Sequence, residues 1–250
     1  MNGKKIKVAL CLSGEPRSSM FCFPYIYENC INLDPEVFEV DTYSYSFKGF
    51  RALPLYNCKK YVVDNRNGDE LFHQWFHPLE KNFNSKSLDL LINTSNGILN
   101  NQNGIKNLFL MYLNIYNCFN LIQGEYDIYI RARHDIIFQN KFFIEEYISK
   151  ILSKDVDIYV PKGNIMGNEK TQLYVDQFAI GNYKGMSYYS NLINSLLDLI
   201  NENVSVKSEI LLHKYLNNND LKISKSFLKM NLVRSSFINS YPPEINFLDQ

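Results

Sequence analysis

The sequence predicts an α/β fold, in which helices flank a central sheet, and three observations lead to this prediction. Short apolar, β-branched runs at 6–12, 37–46 and 59–63 have the length of buried strands. A helical segment separates the first two runs, and parallel neighbours in a sheet need such crossover connections. Charged residues follow a further strand at 126–130, where open α/β sheets usually bind their ligands.

The first half of the chain alternates strands with helices. The run at 6–12 ends in a turn at 13–17, and Ser18 or Ser19 then caps a helix that continues to about Cys30. The stretch 64–103 is rich in Asn, Gly and Ser, which predicts an insertion with short helical patches. Apolar residues recur at three- and four-residue steps from 104 to 123, so this segment forms a long helix with one apolar face.

The second half continues the alternation. Beyond the strand at 126–130, the same patterns predict helices at 142–152, 183–200 and 206–216 and strands at 156–160, 174–180, 221–224 and 228–234. The proline-containing tail after these strands is predicted to be a loop. No internal repeat or low-complexity linker interrupts the pattern, so we expect one domain over 1–250, with 64–103 as a flexible insertion.

Composition excludes several classes of protein. The chain has 250 residues, of which 46% are apolar and 14% aromatic, so it has the material for a buried core and is neither disordered nor fibrous. Lys plus Arg and Asp plus Glu both number 26, so the formal net charge is 26 − 26 = 0. No overall field therefore attracts the protein to nucleic acid, and we expect no nucleic-acid partner.

Cysteine usage and the start of the chain predict a cytoplasmic protein. The five cysteines form an odd set without a C-x-x-C pair, which favours reduced thiols. The apolar run at 6–12 stops at Ser13 and Gly14, so it is too short for a signal peptide or a membrane span.

The first candidate site is the turn after the first strand. Gly14 lets backbone amides approach an anion, the following helix presents its N-terminus, and Arg17 can pair bidentately with a phosphate. The turn lacks the Gly-Lys-Ser/Thr end of a Walker loop. The alternative is an ordinary strand-to-helix turn with a surface arginine.

The second candidate site follows the strand at 126–130. Arg131, Arg133 and Asp135 alternate along an extended segment, so we expect them to share one face. The arginines could hold a diphosphate directly, and Asp135 could hold it through a divalent cation. The alternative is a structural ion-pair network, although three buried charges are costly unless they are paired or bound.

A third group of residues could move a proton. Asp176 and Gln177 lie near the start of an apolar strand, where a carboxylate could accept a proton from a hydroxyl nucleophile. An aspartate that caps a neighbouring loop explains the pattern too. Glu209 lies four residues before His213, and a simple pair on one helix face accounts for these two residues equally well.

These motifs occur in a familiar order: Ser-Gly-Glu-Pro-Arg at 13–17, Asp-Thr-Tyr at 41–43, Tyr-Asp-Ile-Tyr-Ile-Arg-Ala-Arg-His-Asp at 126–135 and Asp-Gln-Phe-Ala-Ile-Gly at 176–181. The chain up to about Leu216 resembles a family of glycosyltransferase-like proteins from bacterial and viral gene clusters for surface polysaccharides such as capsule and lipopolysaccharide. The resemblance implies a GT-A-like, Rossmann-type mixed sheet flanked by helices. It also implies transfer of a sugar from a nucleotide-diphosphate donor to a glycan acceptor, and peripheral contact with the inner face of a membrane.

The resemblance assigns roles to individual residues. The Arg-x-Arg-x-Asp segment stands where other GT-A enzymes carry Asp-x-Asp, which makes Asp135 the ligand of a Mn²⁺ or Mg²⁺ ion. Asp176 becomes the candidate base, with Glu209 as its rival, and Gln177 lies on the acceptor side. The donor would be bound by the first turn, the second strand and the arginine segment, through Ser13, Gly14, Arg17, Asp41, Tyr43, Arg131 and Arg133.

Two other functions remain open from the sequence. Gly-Glu-Pro-Arg-Ser-Ser at 14–19 also resembles the phosphosulfate loop of sulfotransferases, although the Gly-Thr continuation is missing. A non-catalytic carbohydrate-binding subunit would keep the fold without turnover, and the aromatic-rich insertion would serve sugar stacking.

Overall fold

The structure, a computed structural model, describes residues 4–80, 102–139, 143–164, 172–202, 204–226 and 228–233. The α-helices in these ranges are α1 (Ser19–Ile26), α2 (Gly68–Glu80), α3 (Gln102–Phe119), α4 (Glu145–Leu152), α5 (Tyr183–Asn201) and α6 (Ser208–Asn217), and a π-helical turn over Tyr27–Ile31 continues α1. The strands are β1 (Ile6–Ser13), β2 (Phe38–Ser46), β3 (Lys60–Val63), β4 (Ile128–Ala132), β5 (Ile136–Phe138), β6 (Ile158–Asn164), β7 (Gln172–Tyr174), β8 (Phe178–Gly181), β9 (Ile223–Ser226) and β10 (Met230–Leu232).

The described strands form one eight-stranded mixed sheet and one small ribbon. The strand order is β3-β2-β1-β4-β8-β6-β7, with β9 paired to β6, and β10 pairs separately with β5. Strands β3, β2, β1 and β4 are parallel, whereas β8 runs antiparallel to both β4 and β6. The mixed sheet that the sequence predicts is therefore confirmed.

Helices cover both faces of this sheet. Side chains alternate along β1, so Ala9 and Cys11 face one apolar core while Val8, Leu10 and Leu12 face the other. The first core is built with α3, α5 and α6, and the second with α1 and α4. Because β1 is covered on both faces, its sequence is a continuous apolar run rather than an alternating one.

The structure differs from the sequence prediction at 174–180, where one expected strand is two. Strand β4 ends at Ala132, which pairs with Phe178, so the residues before Phe178 have no partner on β4. They bend toward the far end of β6, and the nitrogen of Val175 donates to the oxygen of Pro161 at 2.9 Å. Asp176 consequently lies in a turn at the edge of the sheet.

Other predicted elements agree apart from their ends. The long helix ends at Phe119 rather than at 123, and β6 begins at Ile158 and runs on to Asn164. Residues 64–80 of the predicted insertion include α2, while its helical patch at 87–92 and the tail after 234 lie outside the described residues. Among the described helices, none has the length and apolarity to cross a bilayer.

Candidate functional site

The sheet topology brings three of the sequence-predicted groups to one edge. Strands β1 and β4 are parallel, with Cys11 opposite Arg131, so the turn after β1 lies beside the end of β4. Because β8 is antiparallel to β4, its amino end also lies at this edge, and Asp176 comes with it. Gly14 has a φ of +113°, and a Cβ added there would lie 4.0 Å from Cγ of Arg133. The glycine turn and the arginine segment are therefore neighbours.

Arg131 is a buried cation that pairs with no carboxylate of the described residues. Arg131 is 1% exposed, and its Nε donates to Oγ of Ser13 at 3.3 Å. Its Nη1 donates to the main-chain oxygen of Asp176, while Nη2 is buried and without a partner among the described residues. A buried charge in this state is costly, so the site carries positive potential that an anion can satisfy.

Arg133 and Asp135 form a bidentate pair. Arg133 Nε donates to Oδ1 of Asp135 at 2.7 Å, and Nη2 donates to Oδ2 at 2.9 Å. The extended backbone ends at Ala132, and Arg131 bonds instead to Ser13. The predicted common face is therefore formed by Arg133 and Asp135 alone.

His134 follows Arg133 in the turn after β4 and is uncharged at neutral pH. The residue is fully buried, its ring centroid lies 4.6 Å from that of Phe50, and its Nε2 is 3.5 Å from Oγ of Ser44. Burial, followed by the positive charges of Arg131 and Arg133, lowers the pKa of His134 to about 3. This histidine adds no third positive charge to the site.

Asp176 is a second buried carboxylate, after Asp135, in the field of Arg131 and Arg133. Burial raises the pKa of Asp176, the charges of Arg133 and Arg131 oppose that rise, and the charge of Glu209 adds to it. Glu209 lies in the first turn of α6 and is half-buried. The structure thus places both candidate bases in one electrostatic neighbourhood with the arginines.

Arg17 and Gln177 lie at the margin of this group. Arg17 is exposed and makes a forked contact to Oε2 of Glu15, from Nε at 2.7 Å and from Nη2 at 2.5 Å. Gln177 is half-buried, and its main-chain oxygen accepts from the nitrogen of Arg133 at 3.2 Å. Both residues adjoin the site, at its rim.

Asp41 and Tyr43 are not brought to this edge. Asp41 lies opposite Ala9 in the first half of β1, and its carboxylate accepts from Nζ of Lys59 at 2.7 Å and from Oη of Tyr126 at 2.6 Å. The hydroxyl groups of Tyr43 and Tyr126 are 2.6 Å apart. Tyr126 precedes β4, so this cluster lies toward the amino ends of the strands.

Sequence reasoning missed a polar cavity on the same face of the sheet. It has a volume of about 480 Å³, and residues on β2, after β3 and at the end of α3 line it. Arg66 Nε donates to Oδ1 of Asp64 at 2.9 Å, and Tyr45 donates to the same carboxylate. Bonds from Arg66 lower the pKa of Asp64 to about 2. The Asp-x-Arg pattern directly after the third strand was the available signal.

The sequence patterns also gave no indication that Tyr189 lies at this site. Its hydroxyl donates to the main-chain oxygen of Asp176 at 2.8 Å, so it shares that acceptor with Arg131. The residue lies on α5 and is 1% exposed, and its position on an apolar helix face gave no sequence signal beyond core packing.

The residues at Asp135 do not fit a divalent cation. Both carboxylate oxygens accept from Arg133, and the residue is 1% exposed. Within the described ranges, no group of three or more His, Cys, Asp or Glu side chains is arranged to hold a metal ion. The divalent cation at Asp135 therefore stays a prediction from the sequence, and the Arg133 contacts of this carboxylate do not favour it.

Comparison with known proteins finds similar folds but no similar sequences. No protein-family model and no curated protein sequence matches the chain significantly. The structure is similar to that of the mannosyltransferase Ktr4p from S. cerevisiae, with a TM-score of 0.50 and 9% sequence identity over 92% of this chain and 70% of that chain.

Two further solved structures are similar at lower scores. Mouse xyloside xylosyltransferase 1 gives a TM-score of 0.48 with 9% identity, over 89% of this chain and 84% of that one. A putative glucose-1-phosphate thymidylyltransferase from Bacillus anthracis gives 0.40 with 10% identity, over 98% and 97%. The likeness to the yeast mannosyltransferase shows the fold alone, and the chain therefore has the GT-A-like fold that the sequence predicts.

Proposed function

We propose that this protein is a glycosyltransferase that moves a sugar from a nucleotide-diphosphate donor to a glycan hydroxyl in surface polysaccharide biosynthesis. The observation that carries the proposal is Arg131, a buried cation that pairs with no carboxylate in the part of the chain that the structure describes, at the carboxyl end of β4 and beside the Gly14 turn. The buried Nη2 of Arg131 has no partner among the described residues, and a diphosphate oxygen is an acceptor that it could bind. A cytoplasmic location at the inner face of a membrane is part of the same proposal.

The strand register supports a donor longer than a phosphate. Ser13 pairs with Tyr45, and Tyr45 pairs with Val62, so the polar cavity begins one strand away from the glycine turn. We place the diphosphate at the Gly14 turn and Arg133, with Arg17 at the rim, and the nucleoside in the cavity. The glycan acceptor approaches from the side of Asp176 and Gln177.

The proposed reaction is a single displacement. The acceptor hydroxyl oxygen attacks the anomeric carbon, and the bond from that carbon to the diphosphate oxygen breaks, so the electron pair leaves with the nucleoside diphosphate. The hydroxyl proton passes to the carboxylate of Asp176, for which Glu209 is the rival. The positive charges of Arg133 and Arg131 stabilise the leaving diphosphate. This single displacement inverts the anomeric configuration.

Nucleotide binding is the first test of this proposal. We expect one nucleoside diphosphate to raise the melting temperature of the full chain, because a ligand that binds only the folded state stabilises it. The matching nucleotide sugar should then yield a product whose anomeric configuration, measured by NMR, is inverted. A retained configuration would remove Asp176 from the role of base.

Two other outcomes would overturn the proposed function. A shift with adenosine 3′,5′-bisphosphate, and with none of the nucleoside diphosphates, would establish the sulfotransferase alternative. Binding of glycans without any nucleotide would identify a carbohydrate-binding subunit without turnover.

A further inference from the structure

The resemblance implies a cation at Asp135, whereas in the structure the guanidinium of Arg133 lies on that carboxylate. We propose that the guanidinium of Arg133 replaces that cation, so that this site binds a nucleoside diphosphate without a divalent metal. Asp135 is then a positioning residue, which holds Arg133 in place, rather than a metal ligand. This inference rests on the proposed function and names the charge that the donor meets.

The surroundings of Asp135 support the positioning role. Arg133 donates to both of its carboxylate oxygens, at 2.7 and 2.9 Å, and its main-chain oxygen accepts from the nitrogen of Val233 at 2.8 Å. Ser18 Oγ donates to the main-chain oxygen of Val233 at 2.5 Å, so β10 and α1 clamp this turn. Mg²⁺ and Mn²⁺ prefer about six oxygen ligands, several of them water, and a clamped, buried carboxylate offers little room for that shell.

The charges at this edge also oppose a cation. A divalent ion bound to Asp135 would stand directly against the guanidinium of Arg133, and Arg131 is buried close by. Like charges at such separations repel strongly where water is excluded. The nearest further carboxylate, in electrostatic terms, is Asp176, and burial already disfavours its charged form by raising its pKa.

Arg133 has the exposure and a remaining donor with which to bind the diphosphate. Its side chain is 14% exposed, more than that of Asp135, which is 2% exposed. Nε and Nη2 are occupied by Asp135, whereas Nη1 has no hydrogen bond to the described residues. Asp135 already orders this guanidinium, so its side chain loses little further conformational entropy when its remaining donors bind a phosphate.

The test compares nucleoside diphosphate binding in two media. Isothermal titration of the full chain with UDP, GDP, CDP, ADP and dTDP is run in EDTA and in excess MnCl₂. We expect the bound diphosphate to have the same Kd in both media within about twofold. If Mn²⁺ tightens binding by about tenfold or more, the inference is wrong while the proposed function stands. If no diphosphate binds in either medium, both fail.

Two variants test the pair itself. Asp135→Asn keeps the size of the side chain but removes the charge that holds Arg133, and Arg133→Lys keeps the charge but removes the planar fork. We expect each to weaken diphosphate binding by about tenfold in both media. Asp135→Glu, which restores the charge, should recover part of that loss.

A matched control separates this role from a general loss of structure. Asp157 is also buried, but it lies just before the amino end of β6, where it accepts from Asn182 and from the nitrogen of Lys222, so Asp157→Asn should leave the Kd unchanged. The ratio of Kd for the diphosphate to Kd for its nucleoside supplies a second readout, because a distorted fold weakens both ligands. An Asp135→Asn protein with an unchanged ratio would overturn the positioning role.

Discussion

The charged side chains at the two edges of the central sheet differ in how completely protein groups pair them. At the amino edge, Asp41 accepts from Lys59 at 2.7 Å and from Tyr126 at 2.6 Å. Asp157, at the same end of β6, accepts from Nδ2 of Asn182 at 2.9 Å. Each carboxylate has protein donors close by, as expected for charges that only serve the fold.

At the carboxyl edge the charges are not balanced in this way. Arg133 and Asp135 pair with each other, but Arg131 is as deeply buried as Asp135 and has no carboxylate partner in the described residues. Asp176 accepts from Arg131 only through its main-chain oxygen. Nη2 of Arg131 is buried without a partner in the described residues, and such a donor favours this edge as the place where a ligand binds, because folding alone does not favour it.

The largest effect is expected from Asp176→Asn. The amide cannot accept the acceptor proton, so sugar transfer should fall by about a thousandfold while the Kd of the nucleoside diphosphate stays the same. Initial rates and titration measure the two quantities, and Asp157→Asn at the amino edge should keep the full rate. A full rate in Asp176→Asn would transfer the role of base to Glu209, which Glu209→Gln then tests.

The pH dependence of transfer sharpens this assignment. Burial raises the pKa of Asp176, and the base must be ionised to act. The rate should therefore fall on the acid side at a higher pH than the ordinary aspartate pKa of about 3.9. An acid limb at or below that value would assign it to a group other than Asp176.

Arg131→Met is the next largest change. Removing the buried cation should weaken diphosphate binding by about a hundredfold, whereas the free energy of unfolding should change by only about 1–2 kcal/mol, because an unpaired buried charge contributes little to the fold. Titration and urea unfolding measure both effects. Lys59→Met at the amino edge should leave binding unchanged. A large loss of stability with unaltered binding would make Arg131 a structural residue.

Two glycines offer a matched comparison of the edges. Gly14 and Gly124 have φ values of +113° and +97°, so an alanine at either position is strained by about 1–2 kcal/mol. Gly14→Ala should also weaken diphosphate binding, by about fivefold, since the turn approaches Arg133. Gly124→Ala should lose stability alone. Equal binding in both variants would separate the turn from the donor.

The sequence predicted much of the sheet and the arginine segment because both depend on local patterns. A continuous apolar run predicts a buried strand such as β1, and charges directly after a strand predict an edge position for Arg131 and Arg133. The break between β7 and β8 was not predictable, since it follows from where β4 ends.

The sequence also could not predict which residues lie beside each other on neighbouring strands. Asp41 and Tyr43 belong to β2, but only the register shows that Tyr45, not Tyr43, lies beside Ser13. The pairing of Arg133 with Asp135 depends on the turn at 134–135. Sequence spacing predicts which residue types occur at a site, whereas the contacts between their side chains depend on the strand register and the fold.

The smallest effect is expected at Asp41. Burial raises its pKa, but hydrogen bonds from Lys59 and Tyr126 outweigh burial and lower the pKa of Asp41 below its ordinary value. This carboxylate therefore stabilises the fold above the unfolded pKa of about 3.9, and that stabilisation is lost as the pH falls through the lowered pKa. Asp41→Asn should cost about 0.5–1 kcal/mol at neutral pH, with a gap to the native protein that closes in acid. Urea unfolding across pH measures this gap, and diphosphate binding should not change. A loss of binding would place Asp41 in the donor site and erase the contrast between the two edges.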